Sequence, residues 1–394
     1  MNTNRSVSRR DIIRALAGLA GASLAAPVLA ACGGEDNPAS TAAPTATSQA
    51  GTGSGGSAAT ATSAAATPAS TPAGTPAGAP ATGTVGGSLT VYSGRSEQLI
   101  QAIVDQFAAA SGVEVKVRYG DTAEMAAAIL EEGQSSPADI FFAQDAGALG
   151  AVAREGLLAE LPADVLDLVE ARFRSPDGLW VGISGRARAV VYNTERLSES
   201  DIPPSILDFT DPVWKDRLGW APTNASFQAA VTAIRVLRGD DVARAWLEGI
   251  RDNGARVFEN NNAIVSAVID GEIDAGFVNH YYLMRQLAEA GGDLPARNYI
   301  YRNGDPGALV NVAGAGILTT AKNQEQAIAF IRYMLSPEAQ TYFAEETHEY
   351  PLVAGVPTDP NLVPLSEIQT PDIDLSDLAD LEATLEMLRD VGLL

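Results

Sequence analysis

The chain has 394 residues, 46% of them hydrophobic and 19% charged, enough for two globular lobes with real cores. Its formal net charge of -23 argues against a nucleic-acid partner. One cysteine rules out an internal disulfide and a thiolate metal cluster, and two histidines, His280 and His348, are too few for a typical zinc or haem site.

The amino terminus reads as an address. Ser8-Arg9-Arg10-Asp11-Ile12-Ile13-Arg14 is close to a twin-arginine export signal and is followed by an Ala-rich apolar stretch. Pro27 interrupts that stretch, which is short for a spanning helix. It ends in Leu29-Ala30-Ala31-Cys32, which looks like a bacterial lipobox. The resemblance implies removal of residues 1–31 and lipidation of Cys32, the alternative being a signal peptide with an incidental cysteine. From there to about residue 87 the chain is almost wholly Ala, Thr, Ser, Pro and Gly, too poor in apolar bulk to offset its ordering entropy. It is expected to be a tether reaching roughly 40 Å from the membrane face. The globular body is then exported, held outside the membrane by lipid alone, and expected to be a monomer.

The body opens with three strand-helix pairs. Strands are expected at Ser88–Tyr92, Val113–Tyr119 and Asp139–Ala143. Helices follow from about Ser96 to Ala110, from Asp121 to Gly133, and from Asp145 to Arg154. Such alternation marks a parallel sheet with helices on both faces, so the fold class is α/β. Ligands bind such sheets beyond the carboxyl ends of the strands. Three segments stand at those ends: Ser93-Gly94-Arg95-Ser96, Gly120-Asp121-Thr122 and Ala143-Gln144-Asp145.

Further on, Ala187–Tyr192 reads as a strand suited to cross between lobes. Arg217–Trp220 leads into the loop Ala221–Phe227, ahead of a helix from Gln228 to Arg238. A helix amino terminus is a ready anion cradle, although a plain N-cap explains the same residues. Asn260-Asn261-Asn262 precedes another helix. Ile273–Val278 is a strand running into Asn279-His280-Tyr281-Tyr282. Adjacent tyrosines on a strand point to opposite faces, so both serve one site only if the backbone leaves strand geometry there. Two phenolates suit a hard, strong Lewis acid such as ferric iron. The plain alternative is one ring packed inward and one outward. Val310–Leu318 is expected to be the second crossing strand, with helices at Asn323–Leu335, from Ser336-Pro337, and at Leu378–Leu388.

From residue 88 onward the body resembles the ferric-ion-binding family of ABC-transporter solute receptors. The resemblance rests on Val91-Tyr92-Ser93-Gly94, Ser136-Pro137-Ala138-Asp139-Ile140-Phe141, Ser184-Gly185-Arg186-Ala187-Arg188 and Gly219-Trp220-Ala221-Pro222-Thr223. It continues in Gly271-Glu272-Ile273-Asp274, Asn279-His280-Tyr281-Tyr282, Asp305-Pro306-Gly307-Ala308-Leu309 and Glu349-Tyr350-Pro351-Leu352. It implies a two-lobed, type II periplasmic-binding-protein fold with hinge strands and an interlobe cleft. The lobes would be 88–186 with 311–361, and 187–310 with 362–394. It further implies that Tyr281 and Tyr282 bind Fe(III), with phosphate or carbonate as a synergistic anion. Arg186, Asn224, Ala225, Ser226, Asn261 and Asn279 would hold that anion, and a membrane ABC permease would receive the iron.

Some family members add a histidine and a glutamate, where this chain has Ser96 and Gln144, and others a third tyrosine, where it has Phe227. Tyr92, Tyr119 and Asp145 stand at strand ends as replacements, and His280 either tunes the site or faces solvent. The alternative ligands for the same fold are thiamine, a polyamine or a small anion. An enzyme is not expected: G-x-S-x-G, G-x-x-x-x-G-K-[ST] and H-E-x-x-H are all missing from the sequence.

Overall fold

Residues 85–394 are described by the computed structural model. The expected export signal, Cys32 and nearly all of the tether lie outside the described residues. Strand β1 (Ser88–Ser93) lies parallel between β2 (Glu114–Tyr119) and β3 (Ile140–Ala143). Helix α1 (Glu97–Ser111) joins β1 to β2, and α2 (Thr122–Glu132) joins β2 to β3. Next come α3 (Ala146–Arg154) and the short α4 (Ala163–Leu166). The buried stripe of α1 is Ile100, Ile103, Val104 and Phe107, the spacing that one helical face requires. Gly112 stops it at a φ of 71°, from which its N–H reaches the Ala108 carbonyl.

Strand β4 (Val181–Asn193) is buried along its whole length and joins the two halves of the sheet. Up to Ala187 it pairs antiparallel with β9 (Val310–Ile317). From Arg188 onward it pairs with β7 (Ala275–Asn279), and β8 (Ala296–Tyr299) adds to it from Val190. This strand is longer than the expected Ala187–Tyr192. Glycines and polar residues before Ala187 hide it, because that stretch lacks the apolar run of a central strand. Gly182 is needed there, since a Cβ would lie 2.6 Å from the Phe173 carbonyl oxygen.

The second half repeats the parallel logic. β7, β5 (Leu218–Trp220) and β6 (Arg256–Val257) are parallel neighbours. Around them lie α5 (Ala225–Arg238), α6 (Asp240–Asp252), α7 (Asn261–Ile269) and α8 (His280–Ala290). The full order is β2-β1-β3-β9-β4-β7-β5-β6, with β8 and β10 (Tyr350–Pro351) added to β4. Helices α9 (Gln324–Met334) and α10 (Pro337–Glu345) return to the first half, where Phe330 meets Phe107 edge-on at 5.2 Å.

The last helix, α11 (Leu381–Asp390), packs on α5 through a Thr232–Thr384 hydroxyl pair at 2.8 Å. Just before it, the turn Leu375–Ala379 lies on α3, where Trp180 Nε1 donates to Ser376 Oγ at 3.2 Å. One short segment therefore touches both halves. Among the described residues no helix is long and apolar enough to cross a membrane.

β7 is held against α7 by a missing side chain. A Cβ on Gly276 would sit 2.3 Å from Ile264 Cγ2, a methyl on a fully buried β-branched side chain. Gly276→Ala should cost about 1–3 kcal/mol by overpacking. Urea unfolding checks this through a lowered midpoint at unchanged slope.

Candidate functional site

The strand at β7 ends at Asn279, whose φ of -90° and ψ of 147° are still extended, and His280 starts α8. The expected strand Ile273–Val278 thus ends one residue later, and the backbone does leave strand geometry at the tyrosines. On a helix, neighbouring residues are separated by about 100° of rotation rather than 180°. The rings of Tyr281 and Tyr282 stack, with centroids 4.3 Å apart and planes at 29°. The inward-and-outward alternative does not hold. Tyr281 is buried and Tyr282 half-buried. Burial, with Tyr282 beside it, pushes the Tyr281 phenol well above its ordinary range, and Arg186 pulls the other way. Without a Lewis acid the phenol keeps its proton.

Three guanidiniums surround the pair. Arg95 is wholly buried and donates to both oxygens of Glu349, at 2.8 and 2.9 Å. Ser184 adds a hydroxyl to the same carboxylate at 2.7 Å. Burial opposes the Glu349 charge, but Arg95 and Arg186 overcome it and hold the carboxyl below its usual range. Arg186 lies 4.0 Å from Glu349, beyond hydrogen-bond reach, and its Nε and Nη2 are buried without partners. Arg188 donates to Asn279 Oδ1 at 2.9 Å and to Ser226 Oγ at 3.3 Å, while its Nε is also unpartnered. Burial lowers the Arg188 guanidinium to about 10, with the two tyrosines opposing, so it stays charged at neutral pH. Three buried cations thus face Glu349 and, toward Arg186, Asp145, still fewer carboxylates than guanidiniums, and such a surplus calls for an anion.

The topology explains why these groups meet. β5, β6 and β7 are parallel, so their carboxyl ends point one way and deliver the starts of α5, α7 and α8 to one edge. The register sets Arg188 opposite Asn279 at that edge. Each expected anion-binding asparagine keeps an amide free to donate. Asn224 accepts from the Ser226 N–H at 3.1 Å, so its oxygen is already used. The Asn279 oxygen is used by Arg188. Asn261 is buried, and its Nδ2 has no partner. Ala225 and Ser226 form the first turn of α5, where helix N–H groups lack internal acceptors. That helix starts three residues before the expected Gln228, because Asn224 caps it.

His280 does not face solvent. It is fully buried, and Nε2 lies 2.8 Å from the His348 carbonyl oxygen, while Nδ1 accepts from the Ala187 N–H at 3.2 Å. Those partners select the neutral Nε2–H tautomer. Its ring lies 4.7 Å from Tyr350 and edge-on to Tyr281 at 5.8 Å. Burial, set against those two hydrogen bonds, lowers its pKa to about 4.

The proposed replacement ligands are occupied elsewhere. Tyr92 donates to Glu132 at 3.0 Å and Tyr119 to Gln101 at 2.6 Å. Asp145 caps α3 by accepting from the Ala148 N–H at 3.0 Å. Phe227 is a core ring between Trp220 and Trp246. Ser96 is exposed, while Gln144 Oε1 is buried without a partner beyond the end of β3. Arg95, Arg188 and Glu349 were not assigned roles from the sequence. Arg186 and Arg188, two apart on one buried strand, share a face, and that spacing was the available signal.

Comparison with known proteins agrees with this geometry. Residues 102–369 match the bacterial extracellular solute-binding proteins. The chain belongs to that family. It is similar to the major ferric iron-binding protein of Neisseria meningitidis serogroup B, with 35% identity over 77% of this chain and 93% of that one. It is also similar to the Fe(3+)-binding periplasmic protein of Serratia marcescens, 33% identical over 78% and 90% of the two chains. Among solved structures, iron-bound HitA from Pseudomonas aeruginosa superposes with a TM-score of 0.71 at 36% identity, covering 77% of this chain and 99% of that one. The Trichodesmium protein in complex with iron and citrate gives 0.70 at 31% identity, over 78% and 100%. The expected resemblance to ferric-ion-binding receptors and the periplasmic-binding-protein fold are both borne out. As a solute-binding protein, this family member is not an enzyme.

Two stability predictions follow from the buried charges. Glu349→Ala leaves Arg95 charged and unpaired, and should cost roughly 3–5 kcal/mol in denaturant unfolding. For His280 the folded pKa of about 4 lies below the ordinary 6.5. The unfolded chain therefore takes up a proton first as pH falls. Its contribution is fully present above 6.5 and is lost on going down to about 4, on the order of 3 kcal/mol. Urea midpoints of the metal-free protein should fall through that window, and less steeply in His280→Gln.

Proposed function

We propose that this chain captures ferric iron together with an anion and delivers it to a membrane ABC permease. Tyr281 and Tyr282 supply two phenolates to the iron. Arg186, Asn224, Ala225, Ser226, Asn261 and Asn279 hold the anion, with Arg188 beside them. The observation that carries this reading is the stacked phenol pair among buried guanidiniums whose N–H groups lack partners. Phosphate or carbonate fits as the anion, and so does a polycarboxylate of the kind in the Trichodesmium complex. With Ser96 exposed and only a neutral amide at Gln144, the anion also completes the iron's coordination.

In this reading the lobes 88–186 with 311–361, and 187–310 with 362–394, close about β4 and β9. The protein works as an exported monomer, tied by lipid at Cys32 to the outer face of the membrane. A surplus of buried positive charge disfavours thiamine or a polyamine in the same cleft. It leaves a small anion, bound alone, as the second reading.

Iron-loaded protein should show a phenolate-to-iron charge-transfer band. Tyr281→Phe or Tyr282→Phe should abolish or shift it, and weaken iron by at least the roughly tenfold that even an outer partner of a metal ligand is worth. Unchanged iron affinity in the double variant removes the assignment and leaves the anion-only reading. Arg186→Ala should keep the band but reduce the dependence of iron affinity on added phosphate or carbonate.

A further inference from the structure

A cavity of about 370 Å³ lies along α8, lined by Leu283, Met284, Leu287, Asn298, His348 and Asp359 among others. Its size falls in the range of small-molecule sites, and its walls set apolar side chains of α8 against polar ones. Three polar atoms line it without a hydrogen-bond partner among the described residues. Asn298 Oδ1 is buried and unpartnered, and its orientation is fixed because Nδ2 donates to the His280 carbonyl at 2.8 Å. His348 Nδ1 is likewise buried and unpartnered. Asp359 accepts through Oδ1 from the Asn361 N–H at 2.8 Å, which leaves Oδ2 standing 4.0 Å from His348 Nδ1, too far to bond. His348 is held at a φ of 56°, uncommon for a residue with a Cβ. Strain of that kind collects at sites with a job to do.

A carboxylate oxygen, an amide oxygen and an imidazole nitrogen that accepts in its Nε2–H tautomer, beside the apolar side chains of α8, suit a primary ammonium with an apolar body. An ammonium has three donors and no acceptor, which matches this set. One cation, Arg297, also lines the cavity, and its Nη1 is taken up by the carbonyls of Leu294 and Ala296. Water serves the three acceptors until a ligand replaces it, and an apolar body adds contacts that water cannot make.

We infer that this cavity is a second binding site, for a small primary amine carrying an aromatic or aliphatic body. It is separate from the tyrosine pair yet tied to it. The His348 carbonyl lies 2.8 Å from His280 Nε2, and Asn298 holds the carbonyl of the same His280. The inference does not depend on iron, and its test uses metal-free protein.

Calorimetric titration with 2-phenylethylamine at neutral pH should show one site per chain. The neutral isostere 2-phenylethanol and the anion phenylacetate should bind at least tenfold more weakly. Asp359→Asn should weaken the amine at least tenfold. Ala288→Trp, an exposed lining position where folding is safe, should block it by filling the mouth. Far-UV circular dichroism confirms that both variants fold. Equal binding of the alcohol or the anion overturns the inference, as does an amine affinity unaffected by both variants, or no amine binding at all. Zinc(II) binding that Asp359→Asn abolishes, with no amine binding, makes this a metal site and also overturns it.

Discussion

The structure depends on a cluster of charge that it buries at the middle of its sheet. Among the described residues, Arg95, Arg186 and Arg188 face two carboxylates, Glu349 beside Arg95 and Asp145 toward Arg186. Desolvating an ion costs several kcal/mol, and a single bidentate pair offsets that for Arg95 only. Arg186 and Arg188 are left with N–H groups that nothing in the protein satisfies. A fold selected for stability alone would place apolar side chains there. The retained surplus of positive charge makes sense when an anion and a phenolate-bound metal arrive to share it.

The phenols belong to the same balance. Burial keeps Tyr281 protonated, so in the metal-free site its hydroxyl is neutral beside the cations. In the proposed reading a trivalent ion would convert both to phenolates, which the nearby guanidiniums would stabilise. His280 sits behind this exchange as a neutral spacer. Its two ring nitrogens are spent on the backbone of Ala187 and His348, which fixes α8 to β4 and to the chain ahead of β10. The start of the tyrosine helix is therefore anchored to both halves of the sheet.

The halves are also held at a second place. The turn 375–379 lies on α3, and α11 lies on α5, so the carboxyl-terminal segment spans the halves away from β4 and β9. Any relative motion of the halves must be absorbed by these two connections as well as by the crossing strands. The cavity between α8 and His348 lies along the same line of contacts, so a ligand there would bear on the helix that carries the phenols.

Much of this was legible in the order of residues. Alternating strand and helix patterns determined the parallel first half, Gly112 and Gly133 marked the ends of its first two helices, and the motif series pointed to the ferric-receptor family. The tyrosine pair was visible as hard oxygen-donor chemistry, and the asparagines only through the family resemblance, because asparagine is an ordinary residue at a helix start. Other features were not visible. Strand β4 was underread because a strand buried on both faces can carry glycine and arginine when its neighbours fit them. Phenols one residue apart share a site only because α8 starts at His280, and a strand ending one residue either way leaves the same sequence pattern. Glu349 and Arg95 are 254 positions apart, and nothing local marks them as partners. Residue types thus named the chemistry, because donor atoms are a property of side chains. Which donors meet was decided by the fold, because burial and pairing are properties of the packed chain.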